Sequence, residues 1–122
     1  MQKILIVDDD RDLLEMVSIA LSNFEMKVEC LADGNQLIEC ITAFGPNLIL
    51  LDIYLNDCDG RELCYKLKSS DQYKNIPVIL YSAGHITAQS VRDSLADDFI
   101  PKPFSISQLV NRIKNLEKRS QD

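Results

Sequence analysis

Three aspartates stand directly after two apolar runs, a position where a charged side chain requires a chemical reason. Asp8 and Asp9 follow the run ILIV, and Asp52 follows LILL. If the two runs form neighbouring parallel strands, the three carboxylates meet at the same edge of the sheet. Carboxylates held close together in a poorly hydrated place repel one another unless a cation offsets their charge. These residues therefore predict a site that serves a cation or a reaction.

Two more polar residues follow apolar runs and would complete such a site. Ser82 comes after VILY, and Lys102 comes after FIP. A serine hydroxyl donates one hydrogen bond, and a lysine ammonium is a compact positive charge with three donors. Together with the acids, they predict a pocket lined by residues at the carboxyl ends of four strands.

Apolar runs of strand length alternate with amphipathic stretches along the chain. The runs cover residues 3–7, 27–31, 48–51, 78–81 and 99–100. Five strands alternating with five helices predict an α/β fold in which helices cover both faces of a parallel sheet. The requirement that the acids meet favours the flavodoxin-like strand order 2-1-3-4-5. The first helical stretch carries apolar residues at helical spacing: Leu13, Met16, Val17, Ala20, Leu21 and Phe24.

Composition limits the kinds of protein that this chain can be. Its 122 residues predict a single domain, residues 1–122, with a frayed tail at about 117–122. A net charge of −6 and the lack of any Lys or Arg run disfavour direct binding to nucleic acid or to an anionic membrane. Neither a membrane-spanning stretch nor a signal-peptide pattern is found, which predicts a cytoplasmic protein. The four cysteines form no CxxC pair and are expected to be free thiols.

The order and spacing of these motifs resemble the receiver domain of bacterial two-component response regulators. The resemblance covers residues 3–116 and rests on the first Asp pair, LILLD, the Asp59-Gly60 turn, VILYSA and IPKPF. It implies phosphorelay signalling, in which a sensor histidine kinase or phosphotransfer protein gives a phosphoryl group to Asp52. The output would then reach a downstream protein or effector domain. Such a protein is a regulator rather than an enzyme, although self-phosphorylation from small donors and self-dephosphorylation are expected.

The resemblance also implies a Mg²⁺ ion as cofactor. Asp9 and Asp52 would bind the metal directly, the backbone carbonyl of Tyr54 would add a third ligand, and Asp8 would act mainly through a bound water. Mg²⁺ suits this set because it prefers oxygen ligands and retains several of its waters.

Lys102 would neutralise charge on the transferred group, and Ser82 would donate its hydroxyl to a phosphoryl oxygen. The family further implies a switch in which Ser82 moves and Phe99 rotates inward behind it, which repacks the surface around the last helix. Phe99 as an ordinary core residue is the alternative. A cis peptide at Lys102-Pro103 is also implied.

Several positions depart from the family pattern. Tyr54 and Gly84 occupy the two positions that tune loss of the phosphoryl group, and neither offers a group to orient an attacking water. We therefore expect slow self-dephosphorylation. The stretch from Ser82 to Lys102 is shorter than usual, which predicts a short or irregular fourth helix and a monomer or weak dimer.

Two other functions remain open from the sequence. The chain could be a pseudo-receiver that only binds partners, although the intact Asp9, Asp52, Ser82 and Lys102 disfavour this. It could also be a Mg²⁺-dependent phosphatase with an aspartyl intermediate, but the haloacid dehalogenase type requires Asp-x-Asp, and Asp52 is followed by Ile53-Tyr54. We expect either a stand-alone receiver or a receiver cut from a longer protein.

Overall fold

The fold is built around five parallel strands whose order places the two acid-bearing strands side by side. A computed structural model describes residues 2–56 and 58–121, without the side chains of 119–121. The strands are β1 (Gln2–Val7), β2 (Met26–Leu31), β3 (Leu48–Asp52), β4 (Val78–Ser82) and β5 (Asp98–Pro101). Their order in the sheet is β2-β1-β3-β4-β5, as the meeting of the acids predicts.

Among the described residues, five α-helices cover the two faces of this sheet, in the alternating order that the sequence predicts, and a short 3-10 helix (Gly34–Gln36) precedes the second of them. The helices are α1 (Arg11–Ser22), α2 (Leu37–Phe44), α3 (Gly60–Lys68), α4 (Ala88–Asp93) and α5 (Ile106–Gln121). Side-chain oxygens of Asp10, Asp59 and Thr87 cap the amino ends of α1, α3 and α4 by accepting backbone N–H groups. In the described part of the chain, no helix has both the length and the apolar character of a membrane span.

The middle of the sheet is the best-buried part of the molecule. Every residue of β3 and β4 is buried, as parallel strands covered on both faces must be. The apolar core accordingly divides into one cluster on each face of the sheet. Rigid central strands of this kind hold the groups at their carboxyl ends in a fixed arrangement.

The apolar face of α1 differs from the predicted one. Leu14, Val17 and Leu21 are buried against the sheet, whereas Met16 is 56% exposed and Phe24 is 43% exposed. The prediction is wrong for Met16 because α1 has adjacent apolar residues at three places along its length, which allow two helical faces that differ by one position. Phe24 lies beyond the end of α1 at Ser22. The register of α1 on the sheet selects the face that carries Leu14.

The segment between β4 and β5 confirms the prediction of a short fourth helix. α4 has only six residues and buries none of them. Its carboxyl end passes through Leu95, which has a positive φ of 65°. At the other end of the chain, α5 continues to Gln121 through most of the segment expected to fray, and Asp122 lies outside the described residues.

Candidate functional site

The carboxyl ends of β1 and β3 bring the three predicted acids together. Val7 pairs with Leu51 in the parallel register, so that the residues after them share one edge of the sheet. One carboxylate oxygen from each of Asp8, Asp9 and Asp52 lies within 4.8 Å of the others. Asp8 and Asp52 are buried and Asp9 is half-buried. The arrangement concentrates negative charge where little water can screen it.

Asp52 is held at the centre of this cluster. Its Oδ1 accepts the backbone N–H of Tyr54 at 3.3 Å, and its Oδ2 lies 3.5 Å from the ammonium nitrogen of Lys102. Burial and the charge of Asp8 raise the pKa of Asp52 to about 6, although Lys102 acts in the opposite direction. The carboxylate form of Asp52 is therefore held in a place that disfavours its charge.

Asp8 is fully buried and accepts hydrogen bonds on both of its oxygens. Its Oδ1 accepts the backbone N–H of Asp10 at 2.8 Å. Its Oδ2 accepts the phenol hydroxyl of Tyr81 at 2.8 Å and lies 3.3 Å from Nζ of Lys102. These donors compensate part of the cost of burying a carboxylate.

Lys102 supplies the positive charge at the site. Its backbone N–H donates to the carbonyl of Ser82 at 2.8 Å, which ties the end of β5 to the end of β4. The Lys102-Pro103 peptide bond is cis, as the resemblance implies. From this position the ammonium group reaches the buried oxygens of both Asp8 and Asp52.

Ser82 and Phe99 lie on the same side of the site, toward α4. Ser82 is buried, and its Oγ accepts the backbone N–H of Gly84 at 3.0 Å, so its own proton is available to a ligand. Phe99 is half-buried and packs against the core cluster on that face. Arg112 on α5 donates to the carbonyl of Phe99 and to the carboxylate of Asp98, which links α5 to β5.

The loop after β3 folds back over Asp52. Gly60 donates its N–H to the carbonyl of Ile53 at 2.7 Å, and Tyr54 forms an isolated bridge with Asp59. A Cβ atom at Gly60 would collide with the carbonyl oxygen of Asp52, so only glycine allows this close approach. The ring of Tyr54, which is 53% exposed, lies against Gly84 at the mouth of the site.

Two residues at the site were missed by the sequence reasoning. Tyr81 lies next to Ser82 and was treated as an apolar strand residue, yet its hydroxyl contacts Asp8. The signal was available, because a buried tyrosine needs a partner for its hydroxyl. Arg61 forms a two-bonded ion pair with Asp59 and also donates to Ser90 Oγ at 2.9 Å, which links the start of α3 to α4. No local sequence pattern predicts the contact between Arg61 and Ser90, which are 29 positions apart.

The donor set fits a hard divalent cation. The three carboxylates could each offer an oxygen within one small volume, and such a cluster is the type of site that Mg²⁺ occupies with retained waters. Only one ammonium group, from Lys102, is within ion-pair distance of the cluster among the described residues. A cation would therefore relieve the remaining repulsion. The acidic cluster could hold a metal ion.

Comparisons with known proteins agree with this geometry. The family model of the response regulator receiver domain matches residues 4–114. The chain is 32% identical over 120 residues to the response regulator MprA of Mycolicibacterium vanbaalenii, and 32% identical over 123 residues to the DNA-binding response regulator MtrA of Mycolicibacterium smegmatis. These matches cover 97% and 99% of this chain but 51% and 53% of those proteins. The chain thus spans about half the length of these curated relatives.

A solved structure shares the whole architecture. The CheY-like response regulator receiver domain protein of Methanospirillum hungatei matches with a TM-score of 0.89 at 28% identity, covering 99% of this chain and 97% of that one. The two chains therefore have the same fold over nearly their full lengths. Both the family match and this shared fold show that the chain belongs to the family of response regulator receiver domains.

Proposed function

We propose that this chain accepts a phosphoryl group on Asp52 and thereby switches a signalling surface. The observation that carries the proposal is the position of Asp52, which is 5% exposed, lies in a cluster with Asp8 and Asp9, and has the Lys102 ammonium 3.5 Å away. A carboxylate in this setting can act as a nucleophile while nearby positive charge stabilises the transferred group.

The transfer exchanges one bond to phosphorus for another. An oxygen of Asp52 attacks the phosphorus of a phosphohistidine or of a small acyl phosphate. The new O–P bond forms as the bond from phosphorus to the donor nitrogen or oxygen breaks, and the electron pair leaves with the donor. Lys102 holds its positive charge beside the equatorial oxygens. Mg²⁺, bound by Asp9, Asp52 and the Tyr54 carbonyl with Asp8 in support, would supply further charge neutralisation.

The hydroxyl of Ser82 and the ring of Phe99 carry the response in this proposal. Ser82 Oγ is held by the Gly84 N–H, and turning toward the phosphoryl group gives its proton an acceptor. That movement leaves room behind β4 for Phe99, which is already packed on the same core cluster. The switch operates only because the phosphoryl group binds one arrangement better than the other.

Partners follow from the family rather than from this chain alone. Response regulators are signalling proteins that work with sensor kinases and effector domains. The proposed donor is a sensor histidine kinase or phosphotransfer protein. Since the chain matches about half of relatives such as the DNA-binding regulator MtrA, the proposed output is an effector domain or a separate downstream protein. The net charge of −6 disfavours direct contact between this domain and nucleic acid.

Labelling with acetyl phosphate tests the proposal directly. The protein is incubated with acetyl phosphate and Mg²⁺, and intact mass measurement then looks for one added phosphoryl group that hydroxylamine removes. Wild-type protein is expected to gain the phosphoryl group, and Asp52→Asn is expected to remain unlabelled. Asp71→Asn serves as the matched control because the Asp71 side chain is 98% exposed and remote from the cluster.

Two results would overturn the assignment. Label that persists in Asp52→Asn would move the acceptor to another residue. No label on folded wild-type protein with Mg²⁺ would identify a pseudo-receiver that only binds partners.

A further inference from the structure

Tyr81 joins the acid cluster from the strand next to Asp52. Its side chain is almost completely buried, with 2% of the residue exposed. Its hydroxyl lies 2.8 Å from Oδ2 of Asp8 and 3.3 Å from the carbonyl oxygen of Val7. A buried hydroxyl that donates to a carboxylate stabilises it more than a bond between two neutral groups would. Asp8 is thus held in one orientation by a group from the opposite side of the site.

The ring of the same tyrosine lies below the lysine of the site. Nζ of Lys102 stands 4.9 Å from the centre of the Tyr81 ring, within the range of a cation–π contact. The ring is itself fixed by an edge-on contact with Phe104, with centroids 5.9 Å apart and planes at 80°. One side chain therefore contacts both the carboxylate and the ammonium group.

We propose that Tyr81 is a positioning residue, whose hydroxyl orients Asp8 for the metal ion and whose ring supports Lys102 beside Asp52. The inference rests on the proposed function, because it assigns a role at that same site. Tyr81 is not among the site residues that the sequence predicts.

The hydroxyl matters most when Lys102 moves. Without a phosphoryl group, Oδ2 of Asp8 has two donors, Tyr81 and Lys102. If Lys102 shifts toward a phosphoryl group on Asp52, Asp8 keeps the Tyr81 hydroxyl and its bond from the Asp10 N–H. Asp8 can then keep its buried position and its orientation at both stages. Partners that hold metal-supporting carboxylates in this way commonly affect metal affinity.

Metal binding separates this role from simple core packing. Calorimetric titration with Mg²⁺, without any phosphoryl donor, gives the dissociation constant for wild-type protein, Tyr81→Phe and Tyr65→Phe. Tyr81→Phe keeps the ring but lacks the donor to Asp8, and it is expected to bind Mg²⁺ about tenfold more weakly. Tyr65→Phe is the matched control, since Tyr65 is 53% exposed on α3, and it should bind as wild type. A packing role alone would lower the melting temperature and leave the dissociation constant unchanged.

A second variant tests the ring. Tyr81→Leu lacks both the hydroxyl and the aromatic face under Lys102. With Mg²⁺ saturating in each case, we expect labelling by acetyl phosphate to be about fivefold slower in Tyr81→Leu than in Tyr81→Phe. Equal rates would overturn the assignment of the ring.

The outcomes distinguish this inference from the proposed function. Wild-type protein that binds no Mg²⁺ would contradict both. Wild-type binding together with equal affinity in folded Tyr81→Phe would overturn only the role of the Tyr81 hydroxyl. If the variant does not fold, ¹³Cζ-tyrosine NMR of wild-type protein decides: the Tyr81 resonance should shift with the Mg²⁺ binding curve while those of Tyr65 and Tyr73 stay in place. A Tyr81 resonance that does not respond would contradict the inference.

Discussion

At the amino end of the sheet, Lys68 and Asp97 form a 2.6 Å ion pair, whereas at the carboxyl end the ammonium group of Lys102 lies near two of the three clustered aspartates, Asp8 and Asp52. Nζ of Lys68 also donates to two backbone carbonyls, at 3.0 and 2.9 Å, and Asp97 accepts the N–H of Val78. The three N–H donors of the Lys68 ammonium group are therefore all used. The contacts of Lys102 with Asp8 and Asp52 are longer, at 3.3 and 3.5 Å.

The difference shows how one sheet can separate stability from function. The balanced pair at the amino end connects α3 to the loop before β5 and leaves no charge for a ligand. The acidic cluster at the carboxyl end retains repulsion that a cation or a phosphoryl group with its cation can relieve. A substitution in the Lys68–Asp97 pair should change stability without changing metal binding, whereas a substitution in the acidic cluster should change metal binding.

The largest effect is expected from breaking the balanced pair. Lys68→Met keeps much of the side-chain volume but leaves Asp97 and two carbonyls without their donor. We expect a loss of about 3 kcal/mol in the free energy of unfolding, measured with urea. The control Lys74→Met breaks an exposed pair with Asp71 and should change stability by less than about 0.5 kcal/mol. Equal losses in the two variants would contradict the comparison.

The opposite sign is expected at the carboxyl end. In EDTA at pH 7.5, Asp52→Asn should raise the free energy of unfolding by about 2 kcal/mol, since it removes a buried like charge; the pKa shift allows at most about 3 kcal/mol. The pKa of Asp52 is raised to about 6 from its ordinary 3.8, so the folded state binds the extra proton between these values.

The raised pKa of Asp52 determines how the stability gained by Asp52→Asn depends on pH. The wild-type contribution of Asp52 to stability declines as the pH rises from about 4 through 6. The advantage of Asp52→Asn should therefore be nearly absent at pH 4 and complete above pH 7. Urea titrations in EDTA at pH 4 and pH 7.5 measure this stability difference, and a difference that grows toward acid pH would contradict a raised pKa for Asp52.

Mg²⁺ should stabilise the wild-type protein through the carboxyl end only. At ten times its dissociation constant, the ion is expected to add about 1.4 kcal/mol, seen as a higher melting temperature. Asp9→Asn should lose this shift, and Lys68→Met should retain it despite its lower stability. Loss of the shift in Lys68→Met would show that the two ends are coupled.

The smallest effect concerns the mouth of the site. We expect phosphorylated wild-type protein to persist for minutes or longer in Mg²⁺ buffer, and a half-life of seconds would refute this. A Cβ at Gly84 would lie 2.8 Å from Cε2 of Tyr54, so Gly84→Ala should displace the ring and admit water. Loss of the phosphoryl group, followed by intact mass, should then be severalfold faster with little change in stability.

The parts of the fold that sequence could predict depend on short-range patterns. The buried runs ending at Asp8 and Asp52 show their strands directly, and the strand order follows once the acids must meet. The exposure of Met16 could not be predicted, because neighbouring apolar residues offer α1 two faces. Nor could the contact between Arg61 and Ser90, which depends on how α4 is placed beside α3.

The sequence by itself determined the strands, their acids and the family, because residue type and spacing along a strand decide which groups stand at its carboxyl end. Only the tertiary structure decided which of these groups touch. Tyr81 and Asp8 are 73 positions apart, and their contact requires β1 and β4 to lie on either side of β3, each in its own register with it. The balance of Lys68 with Asp97 likewise exists only after α3 has packed beside the loop before β5. Alternation along a strand decides which of its residues share a face, but which groups of other strands they meet is decided only when the layers assemble.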